Sequence, residues 1–442
     1  MAEISARRRL IGASVGNIGE TYDFFLFAFS APALAAHFFS KSDPTAAMFG
    51  SLAVFAIAFF ARPVGGVLFG YVGDRTSRIV ALTASLGLMG ICTALVGFLP
   101  TYGSIGLLAP VLLVLCRIGQ GLALGGEASG GYSYVIESAP NGKRAQWVST
   151  AVCAAWLPAV LAALLILLLR FGMGDESYMA WGWRIPFVLG GVAAVIGLWL
   201  RFSLDDPKEF TEAKAETKVR NPVRLILRTN WRGVVNSMLL SSTHSVSSNF
   251  LLGFMFTFLT SVAGLGATTA LLSNSAAIVV AALMFPVMGR LADRVGRKPL
   301  LLVGSTVLII GAYPAFLLAS SGTLLGACLG QLILVLSISP CVAGSFATQL
   351  ELFPTAVRWT GHAISQNAGS AIFGGLAPLI SASLVSAFGT PIAPAYYLIA
   401  IGVLAVVVVS RTPETVRVTL RDSVRPVAQH DAAKTCEKLP ID

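Results

Sequence analysis

The chain has 442 residues, of which 55% are hydrophobic and 12% charged, and it carries a formal net charge of +10. An ordinary soluble domain holds about 25% charged residues, so a water-soluble fold is excluded and the mean hydropathy of +0.78 points to a lipid bilayer. A nucleic-acid surface is set aside as the source of the pI near 9.5, because the basic residues are scattered over many short segments rather than gathered in one patch.

Apolar stretches of about 20 residues, the length that crosses a bilayer, recur from Leu10 to Val409. Twelve are expected, starting near residues 10, 46, 79, 105, 145, 184, 233, 268, 299, 323, 359 and 392. The first follows Arg7-Arg8-Arg9 and contains a cleavage-like APALAA, as a signal peptide would. It is too long for that, and Asn17, Glu20 and Asp23 interrupt it, so a retained span is expected. Loops rich in Lys and Arg stay in the cytoplasm. With the N-terminus inside, only Lys41, Arg170 and Arg184 fall on outer segments, and Arg62 and Arg117 lie within spans. Both termini are therefore placed in the cytoplasm. The six cysteines form no C-x-x-C pair, which indicates neither a disulfide frame nor a metal site.

The segment FGYVGDRTSRIV at 69–80 returns as MGRLADRVGRKP at 288–299, sharing G-x-x-x-D-R-x-x-R through Gly70, Asp74, Arg75 and Arg78 and through Gly289, Asp293, Arg294 and Arg297. ESAPNGKR and ELFPTAVR repeat E-x-x-P-x-x-x-R in the same order, giving Glu137 with Arg144 and Glu351 with Arg358. Two motifs repeated at nearly the same offset imply duplicated halves, and parallel halves of this kind are a carrier architecture with the substrate site between them. The expected division is an N-terminal six-helix half over 1–203, a cytoplasmic linker over 204–232, a C-terminal six-helix half over 233–411 and a cytoplasmic tail over 412–442, which is assigned no structure. The fold class is all-α integral membrane. Glycines in the loop motifs let helices approach closely, and their Asp, Glu and Arg can form ion pairs that hold the inner side shut. Partly exposed pairs each contribute little, which suits a gate that is made and broken.

Further motifs complete a pattern: G-N-I-G-E-T-Y-D-F-F in span 1, F-x-A-R-P-x-G-G-x-x-F-G-x-x-G-D-R ending span 2, and R-x-x-Q-G-x-x-x-G-G-E in span 4. W-G-W-R-I-P-F precedes span 6, E-L-F-P-T-x-V-R precedes span 11, and A-I-F-G-G-x-A-P-L-I lies within it. Through these the sequence resembles the major facilitator superfamily, and within it the metabolite:proton symporter family, over residues 10 to 410. The resemblance implies a carrier for a small metabolite; that family includes transporters of citrate, alpha-ketoglutarate, shikimate, phthalate-type acids and proline/betaine. Ser77 and Ile79 stand where its first loop motif usually has Gly and a basic residue, whereas Gly296 and Lys298 keep both. Thr21 replaces a frequent aromatic, and Ala128 a frequent Trp or Leu after G-G-E.

Buried charge carries the functional argument. On a helix advancing 100° per residue, Arg117, Gln120 and Glu127 share an arc of roughly 80°, with Gly119, Gly126 and Gly130 on the other side. In span 1, Asn17, Glu20 and Asp23 recur at every third position, with Tyr22 beside them. A rise of 1.5 Å per residue puts Asp23 about 20 Å and Arg117 about 18 Å from the span ends, near the midplane, and Glu127 about 15 Å nearer the cytoplasm. Ions at such depth are costly and usually functional. Two readings of Arg117 stay open: a fixed structural pair with Glu20 or Asp23, or an anchor for a substrate anion while Asp23, Glu20 or Glu127 carries the proton. Arg62, before Pro63, reads as a helix-end anchor or gate partner. Spans 7 to 12 offer neutral groups, namely His244, Asn249, Gln366 and Asn367, as packing elements or substrate contacts.

The expected function is proton-coupled uptake of a small organic acid through a bacterial inner membrane by alternating access, with a functional monomer and neither cofactor nor metal. A carrier of a zwitterion such as proline or betaine, or an exporter, is the alternative. No H-E-x-x-H, nucleophile cluster or phosphate loop supports an enzyme.

Overall fold

A computed structural model describes residues 21–23, 25–27, 29–30, 33–39, 44–201, 206, 210–212, 222–375 and 377–420. The described residues form twelve long helical segments: α1 within 21–38, α2 (Pro44–Arg75), α3 (Arg78–Phe98), α4 (Leu108–Ser138), α5 (Arg144–Met173), α6 (Arg184–Arg201), α7 (Trp231–Asn249), α8 (Ala267–Val295), α9 (Arg297–Ala319), α10 (Leu324–Glu351), α11 (Arg358–Gly369) and α12 (Ala393–Arg411). From α2 onward each begins within a turn of the position at which its apolar run starts. Seven of the described helices are each long and apolar enough to cross a membrane, and the bent pair Asp175–Gly182 and Arg184–Trp199 adds an eighth. The fold is that of a multi-pass all-α membrane protein.

Two helices are interrupted by π-helical turns. α7 continues through Phe250–Phe254 into Met255–Ser261, and α11 continues through Ser370–Gly374 toward Ala377–Phe388. Such turns widen the coil and redirect side chains, here in the two helices that carry most of the second half's polar residues.

Close packing follows from glycine. α2 lies directly on α4, where a Cβ at Gly125 would stand 1.8 Å from the Arg62 carbonyl oxygen. The other small residues of α4 face different neighbours, since Gly119 abuts Cys92, Gly126 abuts Phe69 and Gly130 abuts the Trp359 indole. The glycines on that side of α4 therefore serve three helices, α3, α2 and α11. Small residues permit such approach where no hydrophobic driving force separates helix from lipid.

The halves meet reciprocally. The second helix of each half packs on the fifth helix of the other, α2 on α11 and α8 on α5. Gly70 faces Thr360 in the first contact and Gly289 faces Gln146 in the second. Trp156 and Phe285 pack edge to face at 4.9 Å across the α5–α8 seam, and Tyr132 and Phe346 at 5.0 Å between α4 and α10.

Residues 412–420 are ordered, against the expectation of an unstructured tail. Thr412, Thr415 and Leu420 are buried, and the segment lies across the end of the bundle that carries the repeated loop motifs, termed here the basic face.

Candidate functional site

Within the first half, Asp23 of α1, Thr93 of α3, and Arg117 and Gln120 of α4 converge, all of them buried. Arg117 and Gln120 are three residues apart and so share a helix face. Gln120 Nε2 donates to Asp23 Oδ1 at 2.7 Å and Thr93 Oγ1 donates to the same oxygen at 2.6 Å. Arg117 Nη1 donates to Gln120 Oε1 at 3.0 Å and stands 3.5 Å from Asp23 Oδ2. The Phe27 ring lies 3.9 Å beneath the guanidinium. Oδ1 is thus held by two donors, while Oδ2 accepts no hydrogen bond among the described residues and meets the cation beyond ordinary hydrogen-bond length. One carboxylate oxygen is held by two hydrogen bonds and the other faces only the cation among the described residues.

Tyr22 donates its hydroxyl to the Pro186 carbonyl at 2.9 Å, fastening α1 to α6 rather than lining the charge pair. Asn17 and Glu20 lie outside the described residues. Glu127, although on the stripe with Arg117, joins a separate cluster. Its carboxylate receives both terminal nitrogens of Arg201 and the Ser85 hydroxyl, and Arg201 Nη1 also donates to the Leu82 carbonyl at 2.6 Å. The α3–α4–α6 tie is fully buried and confined to one half.

In the second half, His244 is held by Ser345 Oγ at 2.8 Å from Nδ1 and by Gln366 Nε2 at 3.1 Å from Nε2. Gln366 donates through the same nitrogen to Ser370 Oγ at 3.0 Å. Asn249 turns back to the Ser245 carbonyl of its own helix at 2.8 Å, whereas Asn367 reaches across the halves to the Gly125 carbonyl at 3.0 Å. His362 and Gln349 are also fully buried here, and neither ring nitrogen of the one nor either end atom of the other has a hydrogen-bond partner among the described residues.

The basic face carries two ion-pair networks. In one, Arg78 bridges Asp74 and Glu137, with Nη2 at 3.0 Å from Glu137 Oε1, and Arg358 reaches that same oxygen from the other half at 2.8 Å. Asp74 Oδ2 accepts the Thr360 amide at 2.8 Å, so a carboxylate at the end of α2 satisfies the first turn of α11. In the other, Arg297 pairs with Asp293 and Glu351, each at 3.0 Å. Asp293 accepts the Ala145 and Gln146 amides at 3.1 and 2.9 Å, satisfying the first turn of α5. Each half thus places an anion on the positive end of a helix in the other. Arg75 and Arg294 stand outside these networks. Arg75 is exposed and donates to the Tyr71 hydroxyl, and Arg294 lines an exposed groove with Lys143 and Arg290. Arg144 donates to the Val418 carbonyl of the tail at 2.7 Å.

Residues 13–370 match the sequence model of the Major Facilitator Superfamily. The chain belongs to the major facilitator superfamily. It is 38% identical over 423 residues to the inner membrane metabolite transport protein YhjE of Escherichia coli K12, covering 93% of this chain and 95% of that one. To the proline/betaine transporter of Salmonella typhimurium LT2 it is 32% identical, covering 97% and 87%. The solved proton:xylose symporter XylE of E. coli superposes with a TM-score of 0.77 at 19% identity, over 93% of this chain and 96% of that one. The protein is a membrane transporter of the major facilitator fold.

The two superfamily loop motifs differ in backbone as well as in sequence. Gly296 has φ +109° and ψ 160°, a region open essentially to glycine, and a Cβ there would stand 2.6 Å from Glu414 Oε2. Ser77 is extended, and its hydroxyl caps α3 by accepting the Val80 amide at 3.2 Å. Ser77→Gly therefore costs only a few tenths of a kcal/mol and Ser77→Ala about 1 kcal/mol. Gly296→Ala adds strain of about 1–3 kcal/mol and displaces the tail. Thermal unfolding of the three purified variants in one detergent checks this order.

Four residues outside the sequence motifs complete these clusters. Thr93 and Arg201 carry no distinguishing pattern, one lying in an apolar run and the other looking like an ordinary helix-end charge. Asp206 accepts the Ile79 amide at 3.0 Å, and Glu414 accepts those of Arg297 and Lys298, both at 3.0 Å. Each follows the sixth helix of its half and caps the third, a repeat legible only once the helix ends are known. Burial pushes the Glu414 carboxyl up, but four backbone N–H donors more than offset this and hold its pKa below the ordinary range. The docking it supports is thus fully present at neutral pH and is lost as pH falls through that lowered value.

Proposed function

We propose that the chain couples proton entry to uptake of a small organic acid across the bacterial cytoplasmic membrane, with both termini inside and one chain supplying both halves. The observation that carries this reading is the buried Asp23–Arg117 contact, in which one carboxylate oxygen faces the cation at 3.5 Å without a hydrogen bond. A substrate carboxylate reaching Arg117 would take over its charge. Asp23, left in a low-dielectric setting without its counter-ion, would then take up a proton. Substrate and proton move together because each favours the state the other needs. Glu127, closed by Arg201 and Ser85, serves better as a structural tie than as the carrier of that proton.

The two networks at the basic face are read as the inner gate, since Glu137–Arg358 and the reciprocal helix caps join opposite halves. Opening hydrates the partners instead of stranding them, so it costs far less than the roughly 3–5 kcal/mol of deleting one member of a buried pair. His244, Gln366, Gln349 and His362 supply neutral hydrogen bonding from the second half.

Likeness to a proline/betaine transporter supports a second reading, a zwitterionic substrate. The acid is preferred because Arg117 offers a buried cation to a carboxylate, while the acidic residues within α7–α12, Asp293 and Glu351, sit at the basic face already paired with Arg297, so that the second half offers none of them to a cationic end. Adding the right substrate to weakly buffered cells that make the carrier is expected to alkalinise the medium, and cells with empty vector should show none. Uptake without alkalinisation would sink proton symport, acidification would mean exchange or export, and a response confined to betaines would replace the acid.

A further inference from the structure

We infer that His362 and Gln349 form a second site for the substrate on its way to the basic face, and that this site takes a short hydroxy acid; the inference rests on the acid-uptake reading above. The polar side chains of α7, α10 and α11 lie in two layers. In the first, His244 bonds to Ser345 and to Gln366, which also bonds to Ser370. α10 and α11 run in opposite directions, since Arg358 at the start of α11 reaches the Leu350 carbonyl near the end of α10. Gln349, four residues after Ser345, and His362, four residues before Gln366, therefore both lie one turn nearer the basic face. Phe346 stands beside both histidines, its ring centre 4.4 Å from that of His244 and 6.4 Å from that of His362. In this second layer both side chains are fully buried, and neither the two ring nitrogens nor the two amide end atoms has a hydrogen-bond partner among the described residues. Buried polar atoms left unbonded weaken a fold, and an apolar pair would fill the same place without that cost. The pair suits a state in which something bonds to it.

The layer is separate from the Arg117 site. Tyr132, which meets Phe346 across the halves at 5.0 Å, follows Arg117 by fifteen residues of α4, a rise of about 22 Å, so a small acid cannot touch both. Parting the Tyr132–Phe346 contact as the basic face opens uncovers the layer on the route from Arg117 to the cytoplasm. Whichever way its amide is turned, Gln349 offers two N–H donors and one acceptor, and a neutral imidazole adds one of each. A carboxylate uses the donors, and a hydroxyl on the same molecule donates to an acceptor. The quaternary ammonium of a betaine has no hydrogen to give. Neutral donors hold an anion less tightly than a guanidinium does, so the substrate moves on instead of staying.

The test is modification by diethylpyrocarbonate, which attacks neutral imidazole, read by mass spectrometry at each of the 4 histidines of the full-length carrier in detergent. Gly289→Leu wedges the α5–α8 seam, where even a Cβ would stand 2.8 Å from the Gln146 backbone, and Asp293→Asn weakens the helix cap across that seam. Both variants should turn His362 from protected to labelled. Millimolar lactate should then slow that labelling, lactamide, its uncharged analogue, should leave it unchanged, and proline and glycine betaine should protect less. Gln349→Leu should weaken protection by lactate about tenfold, the factor carried by one hydrogen bond to a charged group. It should not lower the unfolding temperature, because it removes unbonded polar atoms. His362 unlabelled in both opened variants, lactamide or the zwitterions protecting as well as lactate, or full protection in Gln349→Leu would each overturn the inference. Alkalinisation by an acid that comes without shielding of His362 by lactate removes this site and leaves the uptake reading standing, whereas shielding without alkalinisation keeps the site and removes proton symport.

Discussion

Asp23→Asn is expected to abolish uphill accumulation while leaving substrate exchange intact. Asparagine keeps an oxygen for Thr93 and Gln120, which hold Oδ1 at 2.6 and 2.7 Å, so local packing survives. It cannot take up a proton, and it presents an amide where Oδ2 faced Arg117. Each charge moved through 100 mV provides about 2.3 kcal/mol, or roughly fiftyfold accumulation. That factor should fall to unity in vesicles with an imposed proton gradient. Counterflow of labelled against unlabelled substrate involves no net proton movement and should continue. Normal accumulation by Asp23→Asn would remove Asp23 from the coupling.

Arg117→Lys is expected to leave a folded carrier that binds substrate poorly. Lysine preserves the charge beside Asp23 but lacks the planar fork that makes two hydrogen bonds to a carboxylate, and it does not stack on Phe27 as the guanidinium does at 3.9 Å. Losing one charge-assisted hydrogen bond of about 1.5–3 kcal/mol corresponds to a loss of affinity of roughly tenfold to a hundredfold. Arg117→Ala strands Asp23 and should lower the yield of folded protein, with a penalty of about 3–5 kcal/mol. If Arg117 is only a helix-to-helix tie, lysine will bind at wild-type affinity. Ligand-induced thermal shift, set beside detergent-solubilised yield, separates the two roles.

The sequence shows where the helices lie because a span must be apolar for about 20 residues and the loops between spans collect Gly, Pro and charge. Duplicated loop motifs mark Asp74, Arg78, Glu137 and Arg358, which meet in one network, but their spacing does not say which pairs with which. Angular position around α4 shows that Arg117 and Glu127 share a face but not that they serve different partners. Ten residues of rise, about 15 Å, carry Glu127 away from Arg117 and Asp23 to Arg201. Arg144 shows the limit from the other side, for its repeated motif says nothing of the hydrogen bond that it makes to Val418 of the tail. Helix periodicity describes an element alone, and what it meets depends on all twelve.

The ordered segment after α12 sets a boundary for anyone building on this protein. Leu420 accepts hydrogen bonds through its carbonyl from Thr355 and from Arg358 at 2.6 Å, and Thr415 Oγ1 donates to Glu351 at 2.6 Å. A fluorescent reporter or affinity handle joined directly behind Arg411 would strip these residues from the basic face along with Glu414, and such a fusion would report on an altered carrier. The first junction that spares them lies beyond Leu420.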